Sequence, residues 1–222
     1  MGDPSRDQSV PRTSASSPTE YTDDAILGAH LEAVGAPIPS GHQMPPPPYI
    51  GVSKVSDGIP SDRVFLLSTH GGAGTTTVET IAADRGLDAE EIYRWPRTPT
   101  DAECHVVLIA RTHSYGLHCA LRASREWGAG LVPWINLLGV LLIADAPGKL
   151  PAPLAAEVAE LSAVVPVTWS IGWHPTWRTL SPAETRPLDL RTKHTLGRIK
   201  RAIAKHNKTK TTTDSHPEGD TP

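Results

Sequence analysis

The stretch Val64-Phe65-Leu66-Leu67-Ser68-Thr69-His70-Gly71-Gly72-Ala73-Gly74-Thr75-Thr76-Thr77 decides how the rest of the chain is read. Its first four residues are apolar and bounded by polar ones, the pattern of a short buried strand. The turn His70-Gly71-Gly72-Ala73-Gly74 follows, and its glycines open backbone conformations closed to other residues. Thr75–Arg85 then reads as a helix stopped by Gly86. A strand that enters a glycine turn and leaves it as a helix aims backbone N–H groups and the positive helix end at one point. That arrangement suits a phosphate or another anion.

Outward from this unit, strands and helices alternate. Ile92–Trp95 is read as a short edge strand and Val106–Ala110 as an apolar strand. Tyr115–Trp127 is read as a helix ending at Gly128 and Gly130. Leu137–Ala144 is the strongest buried strand. Pro151–Val164 is helical, with Leu154, Val158 and Leu161 on one face. Val167–Ile171 supplies another strand, and Leu188–Asn207 closes the chain as a helix. This alternation predicts parallel βαβ units, hence an α/β fold whose mostly parallel sheet carries helices on both faces.

The standard phosphate loop is GxxxxGK(S/T), in which Lys reaches the β- and γ-phosphates and the hydroxyl holds Mg²⁺. The segment Gly71–Thr77 resembles the deviant form of that loop in the partition and division-site ATPases, the ParA/MinD family, whose pattern is K-G-G-x-G-K-T-T. The chain keeps Gly71, Gly72, Gly74, Thr76 and Thr77, and has His70 and Thr75 where the family has its lysines. The resemblance extends over roughly residues 64–178. His105–Thr112 and its helix, Leu138–Ile143, and Val165–Pro175 stand where the family has later strands, although these matches are generic. The resemblance implies a P-loop-like fold. It also implies a backbone site for ATP or GTP at Gly71, Gly72, Ala73, Gly74, Thr75, Thr76 and Thr77, with Mg²⁺ held by Thr76 and Asp145. Asp145 ends a buried strand and begins Asp145-Ala146-Pro147-Gly148-Lys149, which looks like the family's Asp-x-Pro switch. A plain turn-forming Asp before Pro-Gly reads equally well.

The missing lysines set the functional expectation. Each removes charge-assisted contacts worth about 1.5–3 kcal/mol, and phosphoryl transfer depends on such positioning. Thr75 is too short to reach a γ-phosphate, and His70 is a poor cation at neutral pH. Three alternatives remain: an active NTPase, a nucleotide or anion binder using backbone alone, and an inert turn. The preferred expectation is a non-catalytic interaction or scaffold protein on a ParA/MinD-like fold. The first alternative is a nucleotide-dependent switch; the second is an accessory protein that binds nucleic acid.

That second alternative rests on the last helix. Thr192, Leu196, Ile199 and Ile203 form one stripe, and Arg191, Lys193, Arg198, Lys200, Arg201 and Lys205 occupy the rest. From Arg186 to Lys210 there are nine lysines and arginines against Asp189 alone, a local charge of +8. Such a face suits DNA phosphates or an acidic membrane surface, or is simply solvated. No aromatics interleave, which argues against base stacking. Trp169 is expected in the core. Trp173 and Trp177 follow a strand tip, where they cover the crevice or form a contact surface. Arg111, Thr112 and His113 follow another tip and are expected to line the same crevice.

Composition bounds the rest. The chain has 222 residues, net charge −3, 22 prolines and 18 glycines. Ten prolines fall before residue 61, so residues 1–61 are expected to form a disordered arm. Within it, residues 22–34 have helical spacing and Pro45–Pro48 favours polyproline II. The domain is expected over 62–185, completed by the helix 186–208, with a disordered tail over 209–222. The longest apolar run, Leu131–Ala144, is too short to span a membrane and the start lacks a signal peptide's apolar core. Cys104 and Cys119 are the only cysteines, so no disulfide framework is expected, and a reduced, cytoplasmic protein is. Neither Cys104/His105 nor His113/His118/Cys119 has a zinc spacing. A protein partner or self-association is expected.

Overall fold

A computed structural model describes residues 49–180, 184 and 186–214, the last five through their backbone alone. The readings of a helix over 22–34 and of polyproline II at Pro45–Pro48 lie outside the described residues.

Seven strands and four α-helices make up this region: β1 (Val52–Lys54), β2 (Val64–Ser68), α1 (Thr75–Ala83), β3 (Ala89–Ile92), β4 (Trp95–Arg97), β5 (Cys104–Arg111), α2 (Ser114–Gly128), β6 (Ile135–Ile143), α3 (Ala152–Val164), β7 (Thr168–Ile171) and α4 (Leu190–Asp214). A short 3-10 helix spans Pro175–Arg178. The main sheet has the order β3-β2-β5-β6-β7, and all its pairings are parallel. Parallel neighbours need crossovers, and those crossovers bring helices onto both faces. Phe65, Leu67, Val106 and Leu108 pack with Leu117, Ala120 and Leu161 of α2 and α3. Val64, Leu66, Val107 and Ile109 pack on the other face with Val78, Ile81, Leu196, Ile199 and Ile203 of α1 and α4. Alternate residues of each central strand thus feed two separate cores, which is why the strands read as continuous apolar runs. Trp169 lies in the second core, as expected.

Gly139 sets the register of the sheet's heart. The pairing of β5 with β6 slips between Val106 and Val107, and Gly139 sits at that slip with φ +151°. A β-carbon there would stand 2.2 Å from the Val167 carbonyl oxygen and 2.9 Å from Trp169 Cζ3. Glycine is what lets the approach to β7 pass so close.

Three boundary expectations need correction. The ordered domain begins at least as early as Tyr49, not at residue 62: β1 pairs in parallel with β4, and Ile50, Val52, Val55 and Ile59 pack on the α2–α3 core. The strand expected over Ile92–Trp95 is two strands broken at Tyr93 and Arg94; β3 joins the main sheet and β4 joins β1. A three-residue strand whose partner lies some forty positions away leaves no period to read. The helix expected to end at Asn207 continues to Asp214, so the start of the tail expected over 209–222 is helical. No proline or glycine interrupts Lys208–Asp214, and nothing there stops a helix already anchored by packing. At its other end the side chain of Asp189 accepts the Thr192 amide at 2.7 Å, a carboxylate N-cap.

Glu126 of α2 ties the small sheet to the domain. Its carboxylate is buried and accepts the indole N–H of Trp95 at 2.8 Å and the Ile50 amide at 3.3 Å.

Candidate functional site

Numbered along the chain, the five strands of the main sheet have the order 2-1-3-4-5. In open α/β sheets of this kind, ligands bind beyond the carboxyl ends of the strands where the winding reverses. Here that point lies between β2 and β5. The loop leaving β2 is the glycine turn, which leads to α1 on one face. The loop leaving β5 is Arg111-Thr112-His113, which leads to α2 on the other. Sequence and topology therefore converge on one crevice.

Side chains of the protein itself fill it. Thr69 locks the turn to β5, its amide and hydroxyl both donating to the Ile109 carbonyl at 3.1 and 2.9 Å. His70 is 8% exposed. Its Nε2 accepts the Arg111 amide at 3.2 Å, so the ring proton resides on Nδ1, which lies 2.9 Å from the Gly71 carbonyl and donates to it. Both ring nitrogens are thereby consumed by backbone. Burial pushes His70 below the ordinary histidine value; the Gly71 bond opposes this, while His113 and Arg111 reinforce it. The His113 ring meets it edge-on at 5.0 Å, and Tyr115 meets it at 5.9 Å.

Arg111 lies along the turn, its Nε donating to the Gly72 carbonyl at 3.2 Å. Of the residues expected to share the crevice with the turn, Arg111 and His113 reach it, whereas Thr112 holds the Asp145 amide. Gly74 caps α1 in the left-handed region, φ +91°. A β-carbon on it would meet Ile143 Cδ1 at 2.9 Å and Arg111 Nη2 at 3.7 Å. Thr75 is buried and its hydroxyl has no partner among the described residues. Thr77 and Gly74 border a small cavity of about 150 Å3, walled by Trp173, Trp177, Arg111 and Arg178. The His174 ring stacks on Trp177 at 4.1 Å. Trp173 and Trp177 thus border the crevice beside the turn.

Thr76 and Asp145, the expected Mg²⁺ pair, have different partners. The Thr76 hydroxyl donates to Glu91 Oε2 at 2.8 Å, toward β3 at the sheet edge. Asp145 follows β6, on the other side of β2 and two strands away, about 10 Å at ordinary strand spacing. Its amide is held by Thr112 Oγ1 at 3.1 Å. Among the described residues no three His, Cys, Asp or Glu side chains group as metal ligands. Glu91 and its neighbour Glu79, which accepts the Glu91 amide at 3.0 Å, escaped the sequence reading. Glu91 lies on β3, which is too short and polar to advertise a place beside the turn, and Glu79 reads as an ordinary polar position of α1.

The cations of α4 are elsewhere. Arg191, Lys193, Arg198, Lys200, Arg201 and Lys205 are all exposed, while Thr192, Thr195, Leu196, Ile199 and Ile203 are buried. Arg191, His194, Arg198, Arg201, Lys205 and Lys208 succeed one another at alternating steps of three and four, a single solvent-facing line. Lys200 donates to the Gly86 carbonyl at 2.9 Å, fastening α4 to the end of α1. No helix among the described residues is long and apolar enough to cross a membrane.

A family profile described as "Family of unknown function (DUF6668)" matches residues 62–193, more than half of the chain, and the chain belongs to that family. The match runs from the start of β2 into the first turn of α4. Comparison with curated proteins gave no match.

Proposed function

We propose that this chain is a non-catalytic binding or scaffold protein. It is built on a degenerate version of the partition-ATPase fold and acts in the cytoplasm through contact with a protein partner or a second copy. The observation that carries this reading is His70. Where the ParA/MinD motif has a lysine free to meet phosphate, this chain has a ring whose two nitrogens are spent on the Arg111 amide and the Gly71 carbonyl. The Gly72 carbonyl is likewise engaged by Arg111, and the Thr76 hydroxyl by Glu91. A turn held this way is a structural joint between β2 and β5, and it needs no anion to close it.

The test is turnover and binding by the pure full-length chain. No Mg²⁺-dependent hydrolysis of ATP or GTP and no thermal stabilisation by millimolar nucleotide are expected. Turnover abolished by Thr76→Ala would overturn the reading. Stabilisation without turnover would favour the switch alternative, in which the backbone of Gly71–Thr76 holds a nucleotide.

A second reading is favoured by the line of cations on α4. It spans about 26 Å from Arg191 to Lys208 at 1.5 Å per residue. Its apolar side is consumed by the core, which suits a duplex backbone better than a bilayer. If about five phosphates are neutralised, the logarithm of affinity falls against the logarithm of salt with a slope near −4.5. Anisotropy of a labelled duplex across a salt series measures it. A flat salt response, or full binding by R198E/R201E/K205E, removes this reading.

A further inference from the structure

A second opening at the carboxyl ends of the strands lies beside the crevice at the glycine turn. It is a cleft of about 410 Å3 under the loop that joins β6 to α3, on the side of α2 and α3. That volume falls within the roughly 300–1,000 Å3 of small-molecule sites. Its floor is apolar: Leu142 is buried on the α2–α3 side of the sheet, and Leu154 of α3 is half-buried on the same side. Its polar groups are few and donor-rich. The Thr112 Oγ1 accepts the Asp145 amide and keeps its own proton to donate. His113 Nδ1 accepts the Gly116 amide at 2.9 Å, which places the ring proton of the neutral side chain on Nε2. Lys149 adds an exposed ammonium.

The cleft's charge selects the ligand. Residues at the starts of both α2 and α3 line it, and neither helix carries an acid in its first turn. The first turn of α3 also has no side-chain cap. Asp145 is the one carboxylate in the lining. A single ligand charge is matched by Lys149, whereas a second would meet Asp145. No Trp, Tyr or Phe lines the cleft, so it offers no stacking face for a nucleobase.

We propose that this cleft binds a small apolar monocarboxylate, its hydrocarbon body on Leu142 and Leu154 and its carboxylate toward Lys149 and the His113 and Thr112 donors. The site is separate from the glycine turn and does not rest on the reading given to that turn.

The test is an NMR titration of the full-length ¹⁵N-labelled chain with phenylacetate. The neutral and cationic counterparts, 2-phenylethanol and 2-phenylethylamine, and adenosine serve as comparisons. Saturable shifts are expected at Thr112–Ser114 and Ala144–Ala152, strongest for phenylacetate and absent for the amine. Lys149→Glu weakens phenylacetate about tenfold or more, the loss expected for a charge-assisted contact. Leu154→Trp fills the floor and abolishes binding. Ala146→Trp, at an exposed loop position, blocks the cleft without touching the core, so a folding defect in the first variant leaves the test intact. No saturable binding at millimolar phenylacetate, equal shifts from the amine or adenosine, or binding unchanged by Lys149→Glu each overturns the proposal. None of these outcomes bears on nucleotide binding at Gly71–Thr76.

Discussion

Placing at position 70 the lysine of the ParA/MinD motif that the turn resembles should damage this protein. His70→Lys removes an acceptor from the Arg111 amide and a donor from the Gly71 carbonyl, both at the switch point of the sheet. Lysine has no acceptor to offer in return. An amide stripped of its partner in a buried place costs about 1–3 kcal/mol. The new ammonium would also occupy a position only 8% exposed, beside the Arg111 guanidinium. Setting a cation there, where Arg111 acts on it more strongly than the opposing Asp145 carboxylate, raises the total to about 3–5 kcal/mol. For a domain of this size each kcal/mol moves the midpoint by about 2–4 °C, so a fall of roughly 10 °C or more follows. His70→Gln keeps an acceptor and a donor on one planar group and should lose only about 1–2 kcal/mol. Thermal unfolding by circular dichroism near neutral pH measures both. The reasoning fails if the Lys variant unfolds with the parent protein, or if Lys proves more stable than Gln. Either result would mean that the His70 ring is a passenger and the turn is open to a ligand.

Acid should unfasten the same joint. Burial holds both His70 and His105 below the ordinary histidine value of 6.5. The unfolded chain then binds more protons, so stability is full above pH 6.5 and is lost as pH falls toward the folded-state values. The slope approaches about 1.4 kcal/mol per pH unit for each histidine, and urea titrations through that range that show no loss would refute it. Gly139→Ala should cost about 4 kcal/mol or more, because the new methyl would force the Val167 carbonyl away from the Val140 amide it now accepts at 2.9 Å. Urea unfolding within about 1 kcal/mol of the parent would contradict that register. Burial pushes the Cys104 thiol up to about 11, so it should resist a thiol reagent at neutral pH in the native state and react fully on unfolding. Rapid native labelling of Cys104 would show that the base of β5 is open.

Much of the fold was readable because buried parallel strands carry their signature in composition. Val64–Leu67, Val106–Ala110 and Leu137–Ala144 are apolar on both sides, and both sides are covered by helices. What was not readable depends on pairing over distance. Val52–Lys54 gives no period of its own and gains its place from Trp95–Arg97. Glu126 looks like any surface acid on a helix until Trp95 and Ile50 arrive above it.

The candidate site divides the same way. By itself the sequence determined that a strand, a glycine turn and a helix stand in a row, that His70 and Thr75 stand where the motif it resembles has lysines, and that the last helix carries a line of cations. Those are properties of neighbours along the chain, fixed by local backbone freedom and by side-chain charge. Only the tertiary structure decided where the hydrogen bonds of the turn go. His70 reaches a strand forty residues away, the Thr76 hydroxyl turns toward Glu91, and the apolar cleft opens beneath the loop of Asp145 and Lys149. A polar group's role is set by which partner satisfies it, and in a parallel sheet those partners come from strands joined by long crossovers.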